Sequence, residues 1–270
     1  FDSAFEPINP GHREAYLQHE ANRTAHARWW RHDDGPRPTI VVLHGFSADL
    51  ALLNQWFFEI PWLFELGCDV LLATLPFHGA RQTRFSPFSG HGYFAGGVPR
   101  INEAMAHSVH DLRVFVDFLY ERQGVDKIGM TGISLGGYTT AMMAAVEPRL
   151  SFAVPNVPLA SLPDLVLEWS PMNAAIRGFM YAMNAEIEEL RHMLAVSSPL
   201  TFDPVIPQES LMIIGGVGDR LAPPKHSRLL WDHWDRCAIH WFPGSHILHW
   251  DKGEYLGEMA RFMARHGFID

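Results

Sequence analysis

The stretch Lys127–Gly137, KIGMTGISLGG, decides the fold of this 270-residue chain. It begins with a largely apolar run of strand length and ends in small residues that open a helical pattern. Between them, Gly132-Ile133-Ser134-Leu135-Gly136 fits the pattern G-x-S-x-G. A strand-to-helix turn this tight has no room for side chains at its two glycines and strains the backbone of Ser134. The sequence therefore predicts that the Ser134 hydroxyl stands exposed at the end of a strand.

Strand patterns and helical patterns alternate along most of the chain. Apolar runs such as Thr39–Leu43 and Val70–Leu75 end in glycine-bearing turns, and helical patterns follow them. That alternation is typical of an α/β fold with a mostly parallel central sheet and helices on both faces. One long block has only helical pattern. We therefore expect a core formed by 1–157 and 201–270, with a small helical cap inserted at 158–200.

The sequence gives more specific predictions of secondary structure for two segments. The apolar periodicity of Leu50–Leu66 predicts a single helix. Near the N-terminus, His12–Ala27 fits a helix, whereas Thr24–Arg31 fits an edge strand, and the sequence leaves both interpretations open.

Three further motifs follow predicted strands. His44-Gly45-Phe46 follows the first strong strand, Asp219 follows a glycine-rich turn after the penultimate strand, and His246 follows a Pro-Gly turn after the last. Together with Ser134 they give the chain order Ser, Asp, His. With these motifs in this order, the chain resembles the α/β-hydrolase superfamily, as a serine esterase-like or lipase-like member, over residues 38–267.

The resemblance implies a serine hydrolase that cleaves a carboxylic ester or thioester of a small to medium apolar substrate through an acyl-enzyme on Ser134. His246 would take the hydroxyl proton, and Asp219 would fix the tautomer of that histidine. The backbone N–H groups of Phe46 and Leu135 would hold the oxyanion. No cofactor and no metal is implied. A peptidase of the α/β type, an acyltransferase or a cofactor-free peroxidase would use the same triad, and a binding protein without catalysis is a further alternative.

Both partners of Ser134 have competitors nearby in the sequence: His240 and His249 for the base, Asp164 and Asp203 for the acid. His246 is preferred because it directly follows a turn at a predicted strand end, where the active-site loop is expected. Asp219 is preferred because a strand and a run of glycines precede it, whereas its competitors lie in loops without such a strand.

Two features bear on the substrate. The stretch Trp169–Met193 is rich in methionines and aromatic residues, which pack adaptably against an acyl chain if they lie over the serine. Arg81 and Arg84 follow the second strong strand. They either meet an acidic group of the substrate or form ion pairs with the protein's own acidic residues. The first feature favours an uncharged acyl group, and the second leaves a charged ester open.

Composition excludes several classes of partner. The chain has 21 Lys+Arg and 30 Asp+Glu, which gives a formal net charge of −9 and disfavours binding to nucleic acid or to anionic lipid. The longest apolar stretches have strand length, far below the roughly 20 residues of a membrane span. A small-molecule ester is the expected partner, and the oligomeric state stays open.

Histidines and cysteines give no metal motif. His107 and His110 stand three residues apart in a helical pattern, but no third ligand at a fixed spacing accompanies them. Cys68 and Cys237 allow at most one disulfide. We expect a cytoplasmic protein, and secretion stays open because the chain begins with Phe1, as a processed or trimmed product does.

Overall fold

A computed structural model describes residues 1–169, 172–183 and 186–270. Within these residues one sheet of seven strands has the order β1-β3-β2-β4-β5-β6-β7. The strands are β1 (His26–Trp30), β2 (Thr39–Leu43), β3 (Asp69–Thr74), β4 (Ile128–Ile133), β5 (Leu150–Asn156), β6 (Met212–Gly216) and β7 (Ala238–Phe242). β1 runs antiparallel to β3, and the other pairings are parallel. The predicted mostly parallel sheet is confirmed.

The helices connect and flank these strands. They are α1 (Pro10–Leu17), α2 (Ala51–Phe57), α3 (Ile60–Glu65), α4 (His91–Phe94), α5 (Gly97–Asp117), α6 (Leu135–Ala144), α7 (Leu162–Val166), α8 (Met172–Met183), α9 (Ile187–Leu194), α10 (Pro224–His233) and α11 (Lys252–Arg265). None of the helices in the described residues combines the length and the apolarity that crossing a membrane requires.

The sheet is buried on both faces. Side chains of a strand alternate between the two faces, so Ile40 and Val42 of β2 lie in one cluster with buried residues of α2, α3 and α11. Val41 and Leu43 lie in the other cluster, with buried residues of α5, α6 and α10. Because both faces are covered, the residues of β2 from Ile40 to Leu43 are all apolar instead of alternating with polar ones. The prediction of helices on both faces is confirmed.

The prediction of one helix over Leu50–Leu66 is wrong, because α2 and α3 are separate helices. Glu59 lies between them with φ 48°, a left-handed backbone conformation that ends a regular helix. Pro61 follows in the first turn of α3, where its missing N–H is tolerated but where it cannot continue the hydrogen bonding of α2.

The N-terminal segment contains parts of both open interpretations. The helix covers only α1, and a short 3₁₀ turn, Glu20–Arg23, follows it. β1 is the antiparallel edge strand, with His26 opposite Thr74 and Trp30 opposite Val70. The edge-strand interpretation of Thr24–Arg31 is therefore confirmed for its central residues.

The block between β5 and β6 contains α7, α8 and α9. In its described residues it has no strand of the sheet, as the helical pattern predicts, and the boundaries of a cap at 158–200 stay a prediction. Residues 170–171 and 184–185 lie outside the described residues. Elsewhere in the fold, Cys68 and Cys237 are both buried and both free, so they do not form a disulfide.

Candidate active site

Ser134 lies in the tight turn between β4 and α6. Its φ of 57° and ψ of −113° belong to a strained region for a residue with a side chain. A Cβ atom on Gly132 would lie 2.4 Å from the carbonyl oxygen of Gly136, and one on Gly136 would lie 2.1 Å from that of Leu43. Both separations are impossible, so the turn requires glycine at both positions. The half-buried Ser134 thus stands at the end of its strand, as predicted.

Asp219 and His246 form a hydrogen-bonded pair. Oδ2 of Asp219 lies 2.7 Å from Nδ1 of His246, and Oδ1 accepts hydrogen bonds from the backbone N–H groups of Leu221 and Ala222, each at 2.8 Å. The side chains are 1% and 12% exposed. An ionised carboxylate only accepts, so the proton of the neutral ring sits on Nδ1 and the lone pair of Nε2 is left to act as a base.

The loops that carry the pair are bonded to each other beyond the ends of their strands. The N–H of Gly218 donates to the carbonyl oxygen of Gly244 at 2.8 Å, and that of Val217 donates to Phe242 at 3.1 Å. A Cβ atom on Gly218 would lie 2.7 Å from the same oxygen of Gly244. This close backbone approach sets the distance between the two loops and requires glycine at Gly218.

The His44-Gly45-Phe46 loop lies directly against the serine turn. A Cβ atom on Gly45 would lie 3.6 Å from Cβ of Ser134. The buried ring of His44 holds this loop, because Nδ1–H donates to the Gly45 carbonyl at 2.9 Å and Nε2 accepts the N–H of Leu75 at 3.1 Å. Burial lowers the pKa of His44, which keeps the ring neutral, as these two bonds require.

The backbone N–H groups of Phe46 and Leu135, near Ser134, have no hydrogen-bond partner among the described residues. Leu135 is the first residue of α6, where helix N–H groups are unpaired and the helix dipole favours negative charge. The ring of Phe46 packs edge-on against Phe88 and Phe94, at 6.0 and 5.1 Å between centroids. These two amides can bind an oxyanion.

Ser134 Oγ makes no hydrogen bond to the His246 ring within the described residues. Such bonds are often long without substrate and tighten in the reactive complex. The structure brings together Asp219 and His246, the predicted acid and base, and it places Ser134 at the same edge of the sheet.

The competing residues have other contacts. Asp164 accepts from Arg191 and from Ser161 at the start of α7. Asp203 is exposed in a loop, and His240 lies within β7. His249 is bonded to the backbone of His246 rather than to a carboxylate.

The interpretation of Arg81 as a substrate ligand is wrong. Its side chain is 1% exposed, and Nη2 lies 2.8 Å from Oδ2 of Asp111 on α5. Further hydrogen bonds run to the carbonyl oxygens of Thr74 and Asn22, at 3.2 and 2.9 Å. Arg81 therefore pairs with the protein's own acid, whereas Arg84 is exposed.

Other candidate sites are less well formed. No group of three or more His, Cys, Asp or Glu side chains suited to a metal ion occurs in the described residues. A cavity of about 680 Å³ opens between α7, α9 and α10, but Ser134 is not in its lining. Of the aromatic and methionine stretch predicted to cover the serine, the side chains of Met172, Phe179 and Met183 lie outside the described residues.

Sequence reasoning missed the residues that support the site from behind. Asn156 ends β5 and accepts the N–H of Ser134 at 3.0 Å through its carbonyl oxygen. Tyr255 of α11 bonds to His249 at 3.2 Å. A polar residue directly at a strand end, as Asn156 is, was the available signal. No sequence signal singles out Tyr255, because its position in an amphipathic helix predicts only that it packs in the core.

The chain is similar to known proteins over most of its length. Residues 38–150 match the family model described as alpha/beta hydrolase fold. Over 267 residues the chain is 30% identical to an uncharacterized protein of Mycobacterium tuberculosis strain H37Rv, covering 91% of this chain and 58% of that protein. The chain thus spans little more than half the length of this relative.

Two solved structures illustrate the likeness. The acetyl xylan esterase from Paenibacillus sp. R4 aligns with a TM-score of 0.65 and 16% identity, covering 89% of this chain and 79% of that chain. Est1E from Butyrivibrio proteoclasticus, with ferulic acid bound, aligns with a TM-score of 0.60 and 18% identity, covering 90% of this chain and 95% of that chain. At such identities the likeness concerns the fold, and the fold prediction is confirmed.

Proposed function

We propose, from the α/β-hydrolase fold of this chain, that it is a serine hydrolase of carboxylic esters. The observation that carries the proposal is the Asp219–His246 pair at the edge of the sheet where the strained Ser134 lies. The three residues follow β6, β7 and β4, which are parallel, so their carboxyl ends share that edge. The fold is shared with an acetyl xylan esterase, which supports an ester as the bond that is cleaved.

In the proposed reaction, His246 Nε2 takes the proton of Ser134 as Oγ attacks the ester carbonyl carbon, and Asp219 stabilises the imidazolium. The N–H groups of Phe46 and Leu135 hold the oxyanion, and one such donor typically contributes a factor of about 10²–10³ in rate. His246 then gives the proton to the leaving alcohol, and the acyl group stays on Oγ. A water molecule deprotonated by the same ring releases the acid and regenerates Ser134.

Exposed apolar residues on and beside the base loop, which is the segment 243–251 that carries His246 between β7 and α11, support an apolar substrate. Leu52 and Trp56 of α2 are 79% and 55% exposed, and Ile247 and Trp250 of the base loop are 59% and 66% exposed. The two groups are neighbours, because Nζ of Lys252, just after the loop, lies 4.6 Å from the centroid of the Trp56 ring. Exposed apolar surface of this kind marks binding sites in soluble domains.

The alternative of a charged ester depends on Arg84. With Arg81 buried against Asp111, its charge is already neutralised inside the protein. Arg84 is exposed, with its guanidinium 5.6 Å from the centroid of the Phe85 ring. A preference for a carboxylate-bearing ester would therefore be a property of Arg84.

A fluorophosphonate probe tests the nucleophile. We expect labelling of the wild type and none of Ser134→Ala. Ser3→Ala is the control, because Ser3 is a second serine whose Oγ lies 2.9 Å from a histidine nitrogen, His107 Nε2, and contacts an aspartate. Loss of labelling in Ser3→Ala, or equal labelling of all three proteins, would contradict the proposal.

A panel of p-nitrophenyl esters from acetate to dodecanoate, with the hemisuccinate and a p-nitroanilide beside them, tests the substrate class. Each methylene that finds room contributes about 0.8 kcal/mol, so kcat/KM should rise up to several-fold per step before it falls. Preference for the hemisuccinate that is lost in Arg84→Ala would replace the apolar substrate by a charged one. Faster anilide than ester cleavage would indicate the peptidase alternative.

A further inference from the structure

The ring of His249 lies behind the loop that carries His246. Its Nε2 lies 3.3 Å from the carbonyl oxygen of His246, and its Nδ1 lies 3.2 Å from the hydroxyl of Tyr255. The ring stacks on Phe242 with 4.1 Å between centroids and packs edge-on against Phe57 at 4.7 Å. Apolar packing on its faces and polar contacts at both nitrogens therefore fix the orientation of this ring.

The direction of these hydrogen bonds follows from the carbonyl group. A carbonyl oxygen only accepts, so Nε2 of His249 carries the proton and donates to His246. Nδ1 is then the acceptor, and the hydroxyl of Tyr255 donates to it. Burial lowers the pKa of His249 to about 4, the charge of Lys252 acts in the same direction, and the hydrogen bond to the His246 carbonyl and the charge of Asp219 oppose them. The ring is therefore neutral at pH 7, as this pattern requires.

The hydroxyl of Tyr255 keeps its proton at neutral pH. Burial raises the pKa of this tyrosine, so the hydroxyl stays protonated and donates to Nδ1 of His249 at 3.2 Å. The Tyr255 side chain on α11 is thereby connected, through the His249 ring, to the loop that carries His246.

We propose that His249 and Tyr255 are positioning residues that hold the base loop at working distance from the nucleophile. The path of hydrogen bonds runs from the Tyr255 hydroxyl through the His249 ring to the His246 carbonyl. The proposal rests on the proposed function, since that function makes His246 the base. Neither positioning residue touches the reacting atoms. Their hydrogen bonds fix the backbone from which the catalytic ring extends, and displacement of that backbone lowers the rate of reaction.

Substitutions can separate hydrogen bonding from packing. His249→Phe keeps an aromatic ring against Phe242 and loses both bonds, and His249→Gln keeps an N–H donor near the position of Nε2. With p-nitrophenyl butyrate, His249→Phe and Tyr255→Phe should lower kcat by about 10-fold to 100-fold and change KM little. His249→Gln should recover most of kcat. Full kcat in His249→Phe would overturn the proposal.

Tyr16→Phe is the matched control. The hydroxyl of Tyr16 lies 3.1 Å from Nδ1 of His107, so the same kind of buried bond is removed far from the base loop. Both tyrosine variants should lower the melting temperature by similar amounts, and only Tyr255→Phe should lower kcat. An equal loss of kcat in both would assign His249 and Tyr255 a purely structural role and overturn the proposal.

Nitrogen-15 spectra of the histidine rings test the path without any substrate. In Ser134→Ala protein at pH 7, His249 should carry its proton on Nε2. Adding Tyr255→Phe should shift the tautomer populations of His249 and also the signals of His246. A proton on Nδ1 of His249 would overturn the proposal. If wild-type protein cleaves no ester, the proposed function fails by itself, and these spectra still decide whether the path exists.

Discussion

The carboxylate of Asp219 holds the ring of His246 through a hydrogen bond of 2.7 Å between Oδ2 and Nδ1, while two backbone amides fix its other oxygen. The carboxylate therefore cannot turn away, and its only contact with the ring is at the nitrogen remote from the proposed proton transfer. The pair defines which tautomer of His246 the site uses.

Asp219→Asn tests the importance of that tautomer. The asparagine amide can donate to Nδ1 of His246, which would place the ring proton on Nε2 and remove the base. We expect kcat for p-nitrophenyl butyrate to fall by about 10³–10⁴-fold with little change in KM. Asp203→Asn changes an exposed aspartate and serves as the control. A loss smaller than tenfold in Asp219→Asn would contradict the assigned role.

Gly136→Ala tests the requirement for a small residue in the serine turn. The added methyl would lie 2.1 Å from the carbonyl oxygen of Leu43, so the backbone must shift. We expect the free energy of unfolding in urea to fall by about 1–3 kcal/mol, together with loss of labelling at Ser134.

Gly257→Ala is the matched control within α11. There the nearest neighbour of the added Cβ is a guanidinium nitrogen of Arg261 at 3.7 Å, which is ordinary contact. Alanine is the better helix former by about 0.5–1 kcal/mol, so this variant should gain stability and keep its activity. Equal effects of the two substitutions would show that Gly136 has no special role.

The sheet and the residues at its carboxyl edge could be predicted because each is encoded by a short contiguous stretch. TIVVL at β2 is apolar after its first residue because both faces of that strand are buried. The glycines around Ser134 reveal the turn because the backbone allows nothing larger. Because these strands are parallel, the carboxyl ends of β4, β6 and β7 lie at one edge of the sheet.

Contacts between distant segments could not be predicted in this way. Arg81 and Asp111 are thirty positions apart, and no local pattern shows that one is buried against the other. Glu59, which separates α2 from α3, adopts a left-handed conformation that a glutamate does not favour by itself, so its identity does not predict the break. The bond between His249 and Tyr255 depends on the packing of α11, which periodicity reveals only as an apolar face.

Arg81→Met tests the buried ion pair. The substitution keeps an unbranched side chain but leaves the buried carboxylate of Asp111 without its cation, so we expect a loss of about 3–5 kcal/mol in the free energy of unfolding. The ratio of hemisuccinate to butyrate hydrolysis should not change in protein that remains folded. Arg84→Ala, at an exposed position, should leave stability unchanged. If Arg81→Met kept its stability but changed the ratio of hemisuccinate to butyrate hydrolysis, Arg81 would be a substrate-binding residue and this interpretation of the ion pair would be wrong.

The stability of the protein below neutral pH should depend on the buried ring of His226. Nδ1 of His226 accepts the backbone N–H groups of Ala160 and Ser161 at 3.3 and 3.4 Å, which a proton on that nitrogen would prevent. Burial, aided by the charge of Lys225, lowers the pKa of His226 to about 4, against roughly 6.5 in the unfolded chain. Between these values the unfolded state binds more protons, so the stabilising contribution is complete above the unfolded pKa and is lost as the pH falls toward 4.

His226→Asn provides the measurement, because the asparagine oxygen can accept at the position of Nδ1 and does not titrate. In urea unfolding at pH 7, 6, 5 and 4.5, the wild-type free energy should decrease with falling pH. The contribution of His226 to that slope should reach up to about 1.4 kcal/mol per pH unit. His226→Asn should flatten the dependence, whereas His26→Asn, at an exposed histidine, should reproduce the wild-type slope. Equal slopes for wild type and His226→Asn would mean that this ring is not held neutral by the fold.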